Sequence, residues 1–440
     1  MRILTADHVL PITSDRISQG AVVIDGDKIE AVGSRKDLTS AYPQAEVTDL
    51  GQAAILPGFV NCHSHLELTS MRGALDDVEH DFSAWLLRLN GLRAEMSDED
   101  IKAAAVAGAR EGAAAGVTCF ADIGRMGFAG VHALKEVGLR GIVYQETEFS
   151  PEDATAEEDF AKLIGKFNAL AERQTDRVRV GISPHSPYTV SSRLFEMLAQ
   201  ASIIDRVPLH IHVAESHAEH ELLTQGTGFF TGVYEKYGVE WQSPHSTPIE
   251  YLERLGVFAA RPLLAHCVTA SDDDIDRIAR NGASIAHCPK SNAKFGHGAA
   301  PFEAFLDAGI AVGLGSDSVA SNNVCDMLEE SCFASLIARN REGSKRFITA
   351  REVLEAATIV GAKALRLDDK IGSLEVGKQA DIAVVSLSNI AQQPVNDIHA
   401  ALVFASNARD VSMTMVAGQV VHQISSSSAS SSSPVRDFGA

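Results

Sequence analysis

VPLHIHVAES, residues 207–216, is a short apolar run that ends in polar residues. It leads directly into AESHAEHELL (214–223), whose spacing is helical. Seven other strand-like runs share this make: AILPGFVNC (54–62), GVTCFADI (116–123), LRGIVYQE (139–146), VRVGISPH (178–185), RPLLAHC (261–267), ASIAHC (283–288) and IAVGLGS (310–316). Amphipathic helical runs separate them, among them DEDIKAAAVAGAREGAAAG (98–116) and TPIEYLERLGV (247–257). Eight β-α repeats within residues 57–367 predict a closed parallel (β/α)8 barrel in an α/β fold. The rival, an open doubly wound sheet, would not easily bring residues from five distant strand ends to one point.

Those ends carry metal-ligand chemistry. His63 and His65 alternate after the first run, and a strand puts residues i and i+2 on one side. His212 and His210 share a face of the opening stretch. His212 is nearer the strand end and stands three residues before Glu215, which favours it as the ligand. His266 and Asp317 end two later runs. Four imidazoles and a carboxylate suit a borderline divalent metal, and a neighbouring carboxylate is what water activation needs. A hydrolytic enzyme is therefore expected over a binding module.

The chain ends read differently. ISQGAVVIDGDKIEAVG turns at Asp25-Gly26, and KQADIAVVSL and VSMTMVAGQVVH are further strands. Residues 1–56 and 368–423 are expected to share one small β-sandwich, with the barrel inserted between them. The Ser-rich stretch over 424–440 is expected to be disordered.

The 440 residues carry a formal net charge of -20 and no basic stripe, which argues against nucleic acid or an anionic membrane face as partner. The opening MRILTADHVLPI lacks the make of a signal peptide, and no stretch is long and apolar enough to span a bilayer. Six scattered cysteines without a CxxC pair fit buried thiols in a reducing compartment. The expectation is a cytoplasmic protein.

LPGFVNCHSHLE, HSPYTVS, LHIHVAES, LLAHC, HCPKSNAKFG, LGSDS and GSLEVGKQADIAVV together resemble the amidohydrolase superfamily over nearly all of the chain. Their order is similar to the branch of S-adenosylhomocysteine and methylthioadenosine deaminases, aminodeoxyfutalosine deaminases, guanine deaminases and triazine hydrolases. The resemblance implies one divalent ion, zinc (Zn) first and iron (Fe) second, on His63, His65, His212 and Asp317. It places His266 beside the metal, in contact with the attacking water or the substrate, and implies a homodimer. Asp317 is then expected to take a proton from the water. Glu215 would protonate a ring nitrogen, and His266 would steady the developing oxyanion.

The expected substrate is a small N-heterocycle, a 6-aminopurine nucleoside of the aminodeoxyfutalosine kind. Adenosylhomocysteine, methylthioadenosine and adenosine follow, then guanine, pterin or triazine. The resemblance makes His185 a substrate contact, with Asn292 either a contact or a loop brace. Trp85 and Phe82 are candidates for an apolar wall. A distal carboxylate would call for Arg140 or Arg72. The Trp-Pro-x-Glu segment that supplies a ribose-binding glutamate in adenosylhomocysteine deaminases is missing from LRLNGLRAEMSDED, which leaves Glu95 or Glu67 for that contact. A non-enzymatic scaffold is the rival of another class, and the complete ligand set speaks against it.

Overall fold

Gly58 divides the run AILPGFVNC between two sheets. A Cβ at Gly58 would lie 2.1 Å from the Thr118 side chain, so only glycine lets the chain pass from one sheet to the other here. The computed structural model describes residues 1–343 and 345–424; the Ser-rich segment 425–440 lies outside them.

Before the break lie β1 (Arg2–Val9), β2 (Ile17–Asp25), β3 (Lys28–Ser34), β4 (Glu46–Asp49) and β5 (Ala53–Pro57). After it come eight barrel strands: β6 (Phe59–Ser64), β7 (Val117–Gly124), β8 (Arg140–Glu146), β9 (Val178–Ser183), β10 (His210–Val213), β11 (Leu263–His266), β12 (Ser284–His287) and β13 (Val312–Leu314). The chain closes with β14 (Ile382–Ser386), β15 (Val411–Val416) and β16 (Gln419–Gln423).

The barrel forms as two parallel four-stranded sheets, β6-β7-β8-β9 and β10-β11-β12-β13. Two seams join them. At one, Ile182 bridges Leu209, with the Ile182 N–H donating to the Pro208 carbonyl at 3.0 Å. At the other, Ser64 bridges Asp317, and the Asp317 N–H donates to the His63 carbonyl at 2.9 Å. The second seam sets the first and last strand ends side by side.

Strands from the two chain ends join in one hydrogen-bonded ladder of eight, a mixed sheet ordered β16-β15-β14-β5-β1-β2-β3 with β4 on β1. Leu4, Val22, Ile55, Ile382, Val384 and Met415 share a core on it. Arg140 and Asp381 tie this sheet to the barrel. Their buried ion pair closes at 3.0 Å, with Arg140 at the first residue of β8.

The helix Phe82–Ala94 crosses the mouth of the barrel, started by Asp81, whose side chain accepts from the Ser83 and Ala84 N–H groups. The helix Phe229–Tyr237 lines the same cavity. Among the described residues no helix is long and apolar enough to cross a membrane.

Candidate metal centre and active site

The strand ends converge. The His63 and His65 rings lie 4.9 Å apart, and the His63 and His212 rings 4.8 Å. The Nδ1 of His65 faces the Ile123 carbonyl at 3.1 Å, and that of His212 faces the His185 carbonyl at 3.1 Å. A carbonyl accepts only, so both Nδ1 atoms carry the proton and both Nε2 atoms present bare lone pairs. Those two Nε2 atoms face each other at 3.2 Å. Two lone pairs so placed call for an electrophile between them.

Asp317 Oδ1 completes the cluster, 3.4 Å from His63 Nε2 and 3.5 Å from His65 Nε2. Its other oxygen accepts from the Ser291 hydroxyl at 2.6 Å and the Ser321 hydroxyl at 3.0 Å. Burial alone would raise the Asp317 carboxyl, but the surrounding imidazoles, His63 foremost, hold it well below the usual range. His63 is fully buried, both its ring nitrogens lack a hydrogen-bond partner among the described residues, and burial lowers it to about 4. Three imidazoles and a carboxylate gathered here fit a single divalent ion such as zinc. At Gly315 a Cβ would fall 2.7 Å from His63 Cβ, so the bare backbone lets β13 approach His63.

Glu215 sits beside the cluster with Oε1 3.7 Å from His266 Nε2 and 3.8 Å from His297 Nε2. Burial raises its carboxyl, with His266 opposing. Its N–H donates to the buried Glu219 carboxyl at 2.9 Å, which anchors the turn that presents it. A carboxyl whose burial favours its protonated form can act as a proton donor beside a metal cluster.

The cluster opens into a cavity of about 370 Å3, lined among others by Glu215, His266, His185 and Trp85. Trp85 stacks on Phe82 and meets Phe295 edge-on at 4.9 Å, forming an apolar wall next to Glu215. Four expectations change. Arg140 is no substrate contact: it stands at the opposite end of its strand, spent on Asp381. Arg72 is spent on Glu111 and the Asn323 carbonyl. Glu67 does not alternate into the cavity, because a 3-10 turn starts at Leu66 and sends its carboxylate to the Arg125 and Met126 N–H groups and to Arg93. Glu95 is exposed at the end of the helix Phe82–Ala94. Asn292 lies behind the site, its Oδ1 2.9 Å from His266 Nδ1, and orients that ring.

The sequence reading missed His297, Glu146, Arg93, Arg125 and Glu219. Glu146 carried a usable signal, since it ends the run LRGIVYQE as the ligands end theirs. His297 carried none.

This is the geometry of a metal-dependent hydrolase barrel. Residues 54–421 match the model of the amidohydrolase family, and the chain belongs to that family. The chain is 32% identical over 423 residues to a 5-methylthioadenosine/S-adenosylhomocysteine deaminase of Nitratidesulfovibrio vulgaris, covering 96% of this chain and 90% of the relative. A protein of the same name from Halobacterium salinarum is 34% identical over 410 residues, covering 92% and 89%. The crystal structure of an adenosine deaminase from Xanthomonas campestris with bound zinc superposes with a TM-score of 0.82 at 28% identity, covering 95% and 92%.

Proposed function

We propose that the protein hydrolytically deaminates an adenine nucleoside carrying a 5′-thio substituent, 5′-methylthioadenosine or S-adenosylhomocysteine, with zinc as its metal. The observation that carries the deaminase reading is Glu215, a buried carboxyl raised by desolvation and set against the metal cluster. The 5′-thio substituent is supported by relatives more than 30% identical over nine-tenths of the chain. They displace the aminodeoxyfutalosine-like substrate from first place. That substrate stays as the second reading, because Arg93 and Arg125 reach a cavity rimmed by Phe149, Phe229 and Tyr237, a setting for an aryl carboxylate.

A divalent ion on His63, His65, His212 and Asp317 would acidify a water and so supply the nucleophile near neutral pH. Glu215 gives its proton to the ring nitrogen beside the amino-bearing carbon, which breaks aromaticity there. The water oxygen bonds to that carbon, and Asp317 Oδ1 takes one water proton. His266, fixed by Asn292, faces the oxygen that has added. Asp317 passes its proton to the amino group, the C–N bond breaks and ammonia leaves. The remaining hydroxyl proton returns to Glu215 as the carbonyl forms. The ring nitrogen keeps its proton, so both side chains end as they began.

Zinc-loaded protein is to be assayed for ammonia release and ultraviolet shift on methylthioadenosine, adenosylhomocysteine, adenosine, aminodeoxyfutalosine, adenine, guanine, a pterin and a triazine. The expected result is the highest kcat/KM on the 5′-thio nucleosides. Turnover of a triazine or pterin with all adenine nucleosides untouched refutes the reading.

A further inference from the structure

We propose that Glu146, together with His185, binds the ribose hydroxyls of the substrate; the proposal rests on the adenine-nucleoside reading above. Glu146 ends β8 at the catalytic mouth and lines the cavity, yet its side chain is 4% exposed. One oxygen lies 3.5 Å from Arg125 Nε. The other, Oε1, has no hydrogen-bond partner among the described residues and faces His185 Nε2 at 4.0 Å. The other nitrogen of His185 is engaged by the hydroxyls of Ser186 at 2.8 Å and Thr189 at 2.9 Å. Two unspent polar atoms thus stand side by side on the cavity wall. A buried carboxylate oxygen without a donor is costly, and a ligand that supplies donors recovers that cost.

The surroundings select the ligand group. A cation would meet Arg125 and Arg93, and an anion would meet Glu146 itself. A neutral hydroxyl both donates and accepts, so it satisfies the acceptor-only carboxylate and either tautomer of His185. A vicinal diol offers one hydroxyl to each. The pair also lies next to the metal centre, since ligand atoms of Glu146, His185 and His212 fall within 4.8 Å of one another. A second metal ion there lacks its third ligand. His212 turns Nε2 to His65 and spends Nδ1 on the His185 carbonyl. Glu67 and Glu95, the two glutamates expected to reach the ribose, are respectively saturated by other partners and exposed.

The test measures calorimetric binding of inosine and 2′,3′-dideoxyinosine, which have no amino group to lose, to the zinc-loaded full chain. The wild type is expected to bind inosine about 10- to 100-fold more tightly than the dideoxy compound, the range for hydrogen bonds to a charged group. Glu146→Gln is expected to shrink that ratio to about threefold or less while leaving dideoxyinosine binding unchanged. Equal binding of the two compounds by the wild type overturns the proposal without any variant. Equal weakening of both by Glu146→Gln also overturns it, because that marks a structural role through Arg125. A wild type that prefers inosine but deaminates no adenine nucleoside leaves Glu146 as the diol site and removes the deaminase reading instead.

Discussion

Replacing Glu215 by Gln keeps the side chain's shape and removes the proton that the proposed mechanism takes from it. The side chain is 7% exposed, with His266 and His297 at 3.7 and 3.8 Å from Oε1, so water cannot easily substitute as the donor. The amide can still donate a hydrogen bond to the ring nitrogen, so substrate binding survives while proton transfer is lost. General acid catalysis contributes about 10²–10⁴-fold. The expected loss is therefore in kcat, about 3–5 kcal/mol of transition-state stabilisation, with KM changed by less than about threefold. Glu215 is outside the proposed ligand set, so zinc content should stay at the wild-type level. The assay is steady-state ammonia release across pH, with metal content measured on the same preparation. Because burial raises the Glu215 carboxyl, the wild type should lose activity as pH climbs through that raised value, when the proton needed is gone. The variant should lack this alkaline limb. A kcat within about tenfold of wild type, or a loss carried entirely by KM, refutes Glu215 as the acid.

Asn292→Ala removes the acceptor that holds His266 Nδ1 and should lower kcat about 10- to 100-fold with zinc content and melting temperature little changed. His65→Ala should strip the metal, shown by elemental analysis, and abolish turnover, as chelation should in the wild type. Arg140→Met leaves the Asp381 carboxylate buried without its partner; urea unfolding should show a loss of about 3–5 kcal/mol, while kcat per folded molecule holds. Burial pushes the Glu330 carboxyl up to about 8 in the folded state. The folded chain then keeps a proton that the unfolded chain releases above its ordinary value. This group's contribution to stability is present at low pH and lost as pH rises from about 4.5 to 8. Glu330→Gln should flatten that slope by up to about 1.4 kcal/mol per pH unit in pH-dependent unfolding.

The cluster of histidines and Asp317 is legible in the sequence because strand ends are legible: an apolar run stops where polar residues face the mouth. The direction of a parallel strand also separates one candidate residue from another. Arg140 and Glu146 are the first and last residues of β8, about 20 Å apart at the rise of an extended strand. Barrel chemistry sits at C-terminal ends, so direction alone excludes Arg140 and admits Glu146. Glu67 failed for a local reason. Its alternation with His63 and His65 assumed that the strand continues, and the turn at Leu66 ends it. His297 was illegible because it follows the helix Pro289–Lys294, and only the packing of Phe82 and Phe295 around it brings it to Glu215.

The same strand ends hold backbone that ordinary side chains avoid. Ala214, His266, Cys267 and Asp317 have φ of 52°, 71°, 50° and 58°. Each such residue costs about 1–2 kcal/mol relative to a right-handed conformation. Glycine would relieve the strain, but at His266 and Asp317 the side chain is what the site needs. The strain persists because neighbouring strands fix it: the Cys267 N–H donates to the Val213 carbonyl at 3.1 Å, the Thr269 N–H to Ala214 at 2.9 Å and the Asp317 N–H to His63 at 2.9 Å. Each of these bonds ties one strand end to the next around the barrel mouth. The backbone that turns His266 and Asp317 inward is thus held by the strands that present His63 and His212, so their positions depend on one another.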